Sequence, residues 1–348
     1  MARKSRRELA KDRGDLTELP VTVKDVALKA GVSPITVSRA IQRPELVSDA
    51  TRAHVLAVVR AMGYVPNLMA GALATSKSRL VAIVLPTIAN SIYASVVQAI
   101  MDRLAEAGYH TLVGPSGYTP EHEEALLATI LGRRPDGIVL TGTFHTRASR
   151  ERLACAGIPV VEAWDLSEDG LDMQVGFSHE QVGAAVAEHF FARGYRRWAL
   201  VGVDDPRALR RGQAVIARLA ELGVDKVAVQ TLPLPATWEV GRRGLANLLD
   251  GDEKPDFIFC SSDTVAFGVL AEASTRGLNV PGNLAVLGFG DTLNGQFANP
   301  ALSTVSVNAT EMGQQVAEAL LRRFAGQKAE ASVDTGFSII ERGSTARS

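Results

Sequence analysis

From Leu80 onward the chain alternates short apolar runs with helical stretches, and this alternation restricts the fold more than any other feature. The runs are rich in β-branched residues and read LVAIVLP, YHTLVGP, DGIVLTG, PVVEAW, RRWALVG, KVAVQTL, DFIFCSS and NLAVLGFG. Helical patterns at 93–107, 121–131, 179–193 and 264–276 lie between many of them. Strands that are apolar throughout and alternate with helices form parallel sheets covered on both faces. Two such series predict two Rossmann-like α/β subdomains.

A different pattern precedes these units, over residues 23–64. Apolar residues at helical spacing end at Gly31, which tolerates the left-handed conformation of a helix end. Ser33 can then cap a second, short helix that starts at Pro34. Two short helices joined by a tight glycine turn are typical of the helix-turn-helix, whose second helix enters the major groove of DNA. An ordinary helical hairpin is the alternative, but small polar residues and Arg39 on the outer side favour a groove-reading helix.

Charge and cysteine usage restrict the partners and the compartment. The net charge is only −1, yet the N-terminal segment MARKSRRELAKDR is basic, which favours a polyanion partner for that end alone. Cys155 and Cys260 show no metal-ligand or CxxC spacing and are expected to be reduced thiols in a cytoplasmic protein. We find no signal peptide and no apolar run of the roughly 18 residues that a membrane-spanning helix needs.

The motifs of common enzyme classes are missing. The sequence has no nucleophile elbow, no P-loop and no HExxH, and no GxGxxG follows the first apolar run. We therefore expect neither catalysis nor a cofactor or resident metal.

Residues 22–73, from TVKDVALKAGVSPITVSRAIQRP to GYVPNLMAGAL, resemble the headpiece of the LacI/GalR family of bacterial transcription regulators. The matching pieces are VKDVA, AGVS, TVSR, the VS before a third helix, and GYVPN. The resemblance continues from Val21 to the end of the chain through FSHEQVGAAVAEHFFARGY, IFCSSDTVAFGVLAEASTRGLNVPGNLAVLGFGD and PALSTVSVNATEMGQQVAEALL. It implies an α-helical helix-turn-helix headpiece joined to an α/β core that is similar to periplasmic binding proteins.

The resemblance also implies domain boundaries. We expect a disordered basic tail at 1–20, the headpiece at 21–65, a hinge helix or linker at 66–78, and an effector-binding and dimerisation core at 79–345. Within the core, the first subdomain takes residues 79–177 and 306–332, and the second takes 178–305 and 333–345.

DNA contacts are expected from the headpiece and the hinge. Pro34 and Ile35 are apolar and occupy the family's base-selecting positions, where contact with a thymine methyl group is plausible chemistry. Leu73 matches the family's wedge leucine, which inserts at a minor-groove base step. The expected DNA-binding residues are Thr22, Ser33, Pro34, Ile35, Thr36, Ser38, Arg39, Gln42, Asn67 and Leu73.

Effector contacts are expected in the loops after the strands, because ligands of α/β proteins bind at the carboxyl ends of strands. The expected residues are Asn90, Ile92, Tyr93, His145, Glu162, Trp164, Phe177, Arg207, Arg210, Trp238, Ser262, Asp263, Asp291 and Asn308. Structural roles are the alternative for several of them: a helix cap for Asn90, a satisfied histidine for His145, a core residue for Phe177, and a helix-start residue for Asp263.

Three arginines follow the strand RRWALVG, and which of Arg207, Arg210 and Arg211 faces the cleft stays open, with Arg210 favoured. An arginine fork binds carboxylate or phosphate through two parallel hydrogen bonds and thus favours an acidic effector. Gly290 stands where many sugar-binding relatives carry Asp, so an acceptor for sugar hydroxyls is lost. LPTIANSIYASVV, the VEAWD loop and GFGD resemble the gluconate-utilisation repressor branch, which implies gluconate, a related sugar acid or its phosphate.

These features predict a homodimeric repressor that binds a near-palindromic double-stranded operator and is released by its effector. Whether two dimers associate into a tetramer stays an open question. A sugar-binding receptor without a transcriptional role is the alternative, which the N-terminal headpiece disfavours.

Overall fold

A computed structural model describes residues 21–65, 77–251 and 254–346. The chain divides into two compact units, Met1–Ser76 and Lys77–Ser348, and each is described by itself. The predicted basic tail, and Asn67 and Leu73 of the predicted hinge helix, lie outside the described residues.

Residues 21–65 of the first unit form three short helices, α1 (Val23–Ala30), α2 (Pro34–Gln42) and α3 (Asp49–Ala61), and a 3₁₀ turn at Pro44–Leu46. Gly31 ends α1 with φ of 65°, the left-handed conformation that glycine adopts without a steric penalty. The Ser33 side chain accepts a hydrogen bond from the backbone N–H of Thr36 at 3.1 Å and so caps α2. The helix-turn-helix prediction is confirmed.

The headpiece core is small. Its buried residues come from all three helices: Val26, Ala27, Ala30, Val37, Ala40 and Val55. Because so few side chains exclude water, the caps at the helix starts make a large relative contribution to the stability of this unit.

The second unit consists of two six-stranded sheets covered by helices. Its strands are β1 (Leu80–Leu85), β2 (His110–Pro115), β3 (Gly137–Thr141), β4 (Val160–Ala163), β5 (Met173–Gly176), β6 (Trp198–Val203), β7 (Val227–Leu232), β8 (Phe257–Cys260), β9 (Ala285–Phe289), β10 (Ser303–Ser306), β11 (Ser332–Asp334) and β12 (Ser338–Ile340). Its helices are α4 (Ser91–Glu106), α5 (Pro120–Leu131), α6 (Arg147–Ala156), α7 (His179–Ala192), α8 (Pro206–Glu221), α9 (Trp238–Asp250), α10 (Asp263–Thr275), α11 (Leu293–Gln296) and α12 (Ala309–Phe324).

The strand orders are β11-β5-β4-β3-β1-β2 and β12-β10-β9-β8-β6-β7, and every pairing is parallel except that of β10 with β12. The chain crosses to the second sheet after β5, returns after β10, and crosses again after β11. The expected boundary at residue 332 falls within β11, all of which pairs with β5. The prediction of two parallel α/β subdomains is confirmed.

One close helix contact fixes the position of α8. Gly183 on α7 lies so near α8 that a Cβ atom there would be 2.4 Å from the carbonyl oxygen of Arg211. Only glycine permits this approach, so the contact sets the rotation and depth of the helix that carries Arg207, Arg210 and Arg211. Among the helices of the described ranges, none is both long and apolar enough to cross a membrane.

Candidate effector cavity and DNA-binding face

The loops after the carboxyl ends of both sheets meet at a cavity of about 70 Å³ in the second unit. The residues that line it are Asn90, Ile92, Tyr93, Tyr118, Trp164, His179, Val203, Asp205, Arg207, Ala208, Arg211, Leu234, Ala236, Ser261, Ser262 and Phe289. The cavity therefore lies between the two subdomains, where ligands of α/β folds bind.

Several helices begin at this cavity. Asn90 caps α4, Asp205 caps α8 and Ser262 caps α10, each through a side-chain oxygen that accepts a backbone N–H. His179 is the first residue of α7. Helix N-termini carry partial positive charge, so their convergence favours a negatively charged ligand.

Aromatic rings form the wall contributed by the first subdomain. Tyr93 and Trp164 meet edge to face with ring centroids 5.4 Å apart, and Trp164 has a left-handed φ of 77°. Burial raises the pKa of the Tyr93 hydroxyl above its ordinary value, so it stays a neutral donor. Phe177, expected to contact the effector, is instead fully buried behind this wall, where it packs against Trp164 and His179.

Arg207 lines the cavity but already has a counter-ion. Its guanidinium donates to Asp205 at 2.9 Å and to the hydroxyl of Tyr93, on the other subdomain, at 2.9 Å. Burial opposes the ionisation of Asp205, but the charge and hydrogen bonds of Arg207 hold its pKa well below the usual range. The pair is therefore ionised and internally neutral at physiological pH.

Arg210, the favoured candidate from the sequence, does not line the cavity. It binds Asp165 of the first subdomain through two hydrogen bonds and contacts Glu180 at 2.9 Å. Thr143 donates a further hydrogen bond to Asp165 at 2.9 Å. Arg210 therefore belongs to a bridge between the two subdomains rather than to the wall of this cavity.

Arg211 follows Arg207 by four residues, on the same face of α8, and it also lines the cavity. Its guanidinium donates to the ring of His179 at 3.0 Å and to the carbonyl oxygen of Ser261 at 2.9 Å, and it stacks 3.8 Å from the ring centroid of Phe289. Burial lowers the pKa of Arg211 to about 10, which still leaves it charged at neutral pH.

His145 and Glu162 do not reach the cavity because they bind each other in the interior. Both side chains are fully buried; the His145 ring lies 2.6 Å from Glu123 through Nδ1 and 3.3 Å from Glu162 through Nε2. Burial alone would lower the pKa of His145, but the two carboxylates outweigh it and raise the pKa to about 9. The cluster thus fixes the loop after β3, whose Gly142 carbonyl is 3.1 Å from the ring.

Asp263 is a structural residue. It is buried and accepts hydrogen bonds from the N–H and hydroxyl of Thr292 and from the hydroxyl of Thr304. Burial raises the pKa of this carboxyl above its ordinary value, opposed by these donors. Both carboxylate oxygens accept from protein groups, and Asp263 is not among the residues that line the cavity.

Asp291 and Asn308 line a different, polar cavity of about 700 Å³. Asp291 accepts a hydrogen bond from Arg342 at 2.7 Å, and Asn308 caps α12. Trp238 lies outside both cavities, where it is 56% exposed and packs on Phe267. Of the expected effector residues, the first cavity thus brings together Asn90, Ile92, Tyr93, Trp164, Arg207 and Ser262.

Sequence reasoning missed several lining residues that one rule could have found. Tyr118, Asp205, Ser261 and Phe289 each lie at or just after the end of a strand, which is the position that predicted Asn90 and the others. The sequence did not reveal that His179 follows a strand, because that strand, β5, has only four residues.

The headpiece presents the second helix to solvent. Pro34, Ile35, Arg39 and Gln42 are exposed, with Ile35 at 64%, while Thr36 and Ser38 are half-buried. The hydroxyls of Ser33 and Thr36 lie 2.8 Å apart. Thr22 forms a capping box with Asp25 at the start of α1. An exposed apolar side chain beside an arginine suits the edges of bases in a major groove.

Comparison with known proteins agrees with this architecture. Residues 22–67 match the model for bacterial regulatory proteins of the lacI family, and residues 187–345 match a periplasmic binding protein-like domain. The HTH-type transcriptional regulator GntR of Pseudomonas aeruginosa is 37% identical over 93% of this chain and 95% of its own length. The regulator of the same name from Escherichia coli strain K12 is 31% identical, over 92% of this chain and 98% of its own length.

Among solved structures, a LacI family transcriptional regulator from Silicibacter pomeroyi is similar over 94% of this chain and 100% of its own, with a TM-score of 0.88 and 33% identity. The sequence-based assignment is therefore confirmed. The chain belongs to the lacI family of bacterial regulatory proteins and is a helix-turn-helix transcriptional regulator with a ligand-binding core, not an enzyme.

Proposed function

We propose that this regulator is a repressor of sugar-acid catabolism whose effector is gluconate or a closely related sugar acid, bound in the cavity between the two subdomains. The observation that carries the proposal is the charge of the cavity wall. Arg207 and Arg211 line it, and Asp205 is the single carboxylate among the lining residues. Together with the helix N-termini, this wall favours an anion.

Gly290 supports an acid rather than a neutral sugar. It has φ of 124°, and a Cβ atom there would lie 2.7 Å from Cδ1 of Ile92. A side chain at this position would have to displace the end of the Ile92 side chain, which favours glycine over the aspartate that sugar-binding relatives carry here. Gly290 lines the larger polar cavity rather than the first one, and it adjoins the first through Ile92, which lines both. Glycine here brings neither an acceptor for neutral hydroxyls nor a repulsive charge next to Ile92.

The remaining lining residues suit a polyhydroxylated chain. Asn90, Tyr93, Tyr118 and Ser262 supply polar groups, and Trp164 presents an aromatic surface against which carbon–hydrogen groups can pack. The relatives named GntR, one of them 37% identical, agree with the resemblance of the strand-end loops to the gluconate-utilisation branch.

For the DNA side, we infer a homodimer in which two headpieces read a near-palindromic operator. Arg39 and the half-buried hydroxyls of α2 contact phosphates and base edges, and Ile35 contacts a thymine methyl group. The hinge helix with Leu73 stays a prediction from the family resemblance. Binding of the effector changes the equilibrium between two arrangements of the subdomains and releases the operator, with a coupling of about 1–3 kcal/mol.

Calorimetric titration of the full-length protein with gluconate and with glucose tests the effector class. We expect heat and saturation with gluconate and none with glucose at the same concentrations. Saturable binding of glucose without binding of gluconate would contradict the proposal.

A further inference from the structure

The three arginines in the first two turns of α8 have different partners. Arg207 is paired with Asp205, and Arg210 is paired with Asp165 and Glu180. Arg211 is only 5% exposed, and no carboxylate of the described residues lies within 4.0 Å of it; its partners at the His179 ring and the Ser261 carbonyl are neutral. A buried cation without a counter-ion is costly, so this position favours an anion from outside the chain.

His179, which contacts Arg211, carries a second unpartnered donor. Arginine can only donate, so the ring Nδ1 that Arg211 contacts must accept, and the proton of the neutral ring is on Nε2. His179 is 2% exposed and its Nε2 has no hydrogen-bond partner among the described residues. The nearest carboxylate, that of Asp165, is 4.0 Å away and already accepts from Arg210 and Thr143.

Ser261 contributes a third unused group. Its carbonyl accepts from Arg211, while its hydroxyl is buried without a hydrogen-bond partner in the described part of the chain. The Nε of Arg211 is likewise buried and unpartnered. The three donors thus belong to Arg211 and to the two residues that its guanidinium contacts directly, and all three residues line the cavity.

We propose that Arg211, His179 and Ser261 form the carboxylate subsite of the effector, and that this subsite selects a ligand with one negative charge. The proposal rests on the sugar-acid function above and deepens it. The lining residues carry two positive charges, on Arg207 and Arg211, and one negative charge, on Asp205, so one ligand carboxylate neutralises the wall. A phosphorylated sugar acid brings further negative charge that no lining residue compensates, and it is excluded.

The test is calorimetric titration of the full-length protein with gluconate, neutral gluconamide and 6-phosphogluconate. The wild-type protein should bind gluconate about a hundredfold more tightly than gluconamide and at least about tenfold more tightly than 6-phosphogluconate, as expected for charge-assisted hydrogen bonds at a buried site. Arg211→Gln should reduce the ratio of gluconate to gluconamide affinity to about one. Ser261→Ala, a smaller change, should reduce that ratio by about tenfold.

Arg218→Gln is the matched control. It removes a guanidinium from the same helix, but this one pairs at the surface with Glu188 at 2.8 Å. It should leave all three affinities unchanged. Circular dichroism establishes that each variant is folded; if Arg211→Gln does not fold, the Ser261→Ala ratio decides.

The outcomes are separable. If the wild-type protein binds no gluconate, the sugar-acid function itself is wrong. If it binds gluconate but the folded Arg211 and Ser261 variants keep the wild-type ratio, the subsite is wrong. Binding of 6-phosphogluconate as tight as that of gluconate overturns the single-charge selection.

Discussion

Arg210 in the second subdomain donates two hydrogen bonds to Asp165 in the first, with N···O distances of 2.8 and 3.2 Å. One turn earlier on α8, Arg207 donates to Tyr93 across the same cavity. Two arginines of one helix therefore hold the subdomains together, while Arg211, one turn after Arg207 on the same helix face, lines the ligand cavity. These two interactions join the subdomains through the protein's own side chains.

Removing the bridge should weaken every ligand alike. Arg210→Gln leaves the buried carboxylate of Asp165 without its cation, with the Thr143 hydroxyl and the Leu166 N–H as its neutral donors, so the contact between the subdomains becomes less favourable. We expect gluconate and gluconamide affinities to fall together, by about tenfold. The double variant Arg210→Gln/Asp165→Asn, which leaves no unpaired buried charge, should recover part of the loss. A selective loss of gluconate affinity in the single variant would place Arg210 in the anion site after all.

Operator recognition should depend on Arg39. It is exposed on α2, the helix expected in the major groove, and Arg39→Ala should cost about 1–3 kcal/mol of specific binding. The measurement is fluorescence anisotropy with a duplex that the wild-type protein selects from a random pool. Arg60→Ala, at the end of α3 where the side chain donates to the Leu56 carbonyl, is the control and should change affinity little. Equal losses in both variants would point to general charge attraction.

The buried His145 cluster predicts a pH-dependent stability. The folded pKa of about 9 exceeds the ordinary 6.5, so the contribution is complete below pH 6.5 and is lost as the pH rises through about 9. His145→Gln should lower the free energy of unfolding by about 3 kcal/mol at pH 6 and by much less at pH 10. Urea unfolding of both proteins at the two pH values measures this. If the variant loses the same unfolding free energy at both pH values, the loss comes from packing and not from the protonated ring.

Packing of α7 on α8 should control the carboxylate subsite. In Gly183→Ala the new methyl group would lie 2.4 Å from the Arg211 carbonyl oxygen and 2.6 Å from the Ala214 Cβ, so the helices must separate. We expect a loss of about 1–3 kcal/mol in stability and weaker gluconate binding. Gly132→Ala, at a helix end with φ of −61° and no atom nearer than 3.4 Å, serves as the control and should change neither measurement. Wild-type gluconate affinity in Gly183→Ala would show that the subsite tolerates movement of α8.

The arginines of α8 also show which features of the structure can be predicted from the sequence and which cannot. The caps at Ser33 and Ser48 and the turn at Gly31 follow from local chemistry and could be predicted. Which of Arg210 and Arg211 faces the cavity could not, because consecutive helix residues differ by about 100° and the rotation of α8 is set by its contact with Gly183.

The pairing of side chains from distant loops could not be predicted from the sequence either. His145 and Glu162 both follow strands and both look available to a ligand, yet they meet each other in the interior. The strands β11 and β12 were not predicted because they are short. They have three residues each, and their direction is set by the sheets that they join.

The central claim is that a sugar acid bound in the core controls the affinity of the headpiece for DNA. The most direct measurement is the anisotropy of the complex between the full-length protein and its selected duplex, titrated with gluconate and, separately, with glucose. Gluconate should dissociate the complex and shift the protein concentration for half-maximal binding upward by about tenfold, as a coupling of about 1.4 kcal/mol requires, while glucose has no effect. A complex that is unchanged at gluconate concentrations that saturate the core, or one that glucose dissociates equally well, would contradict the account.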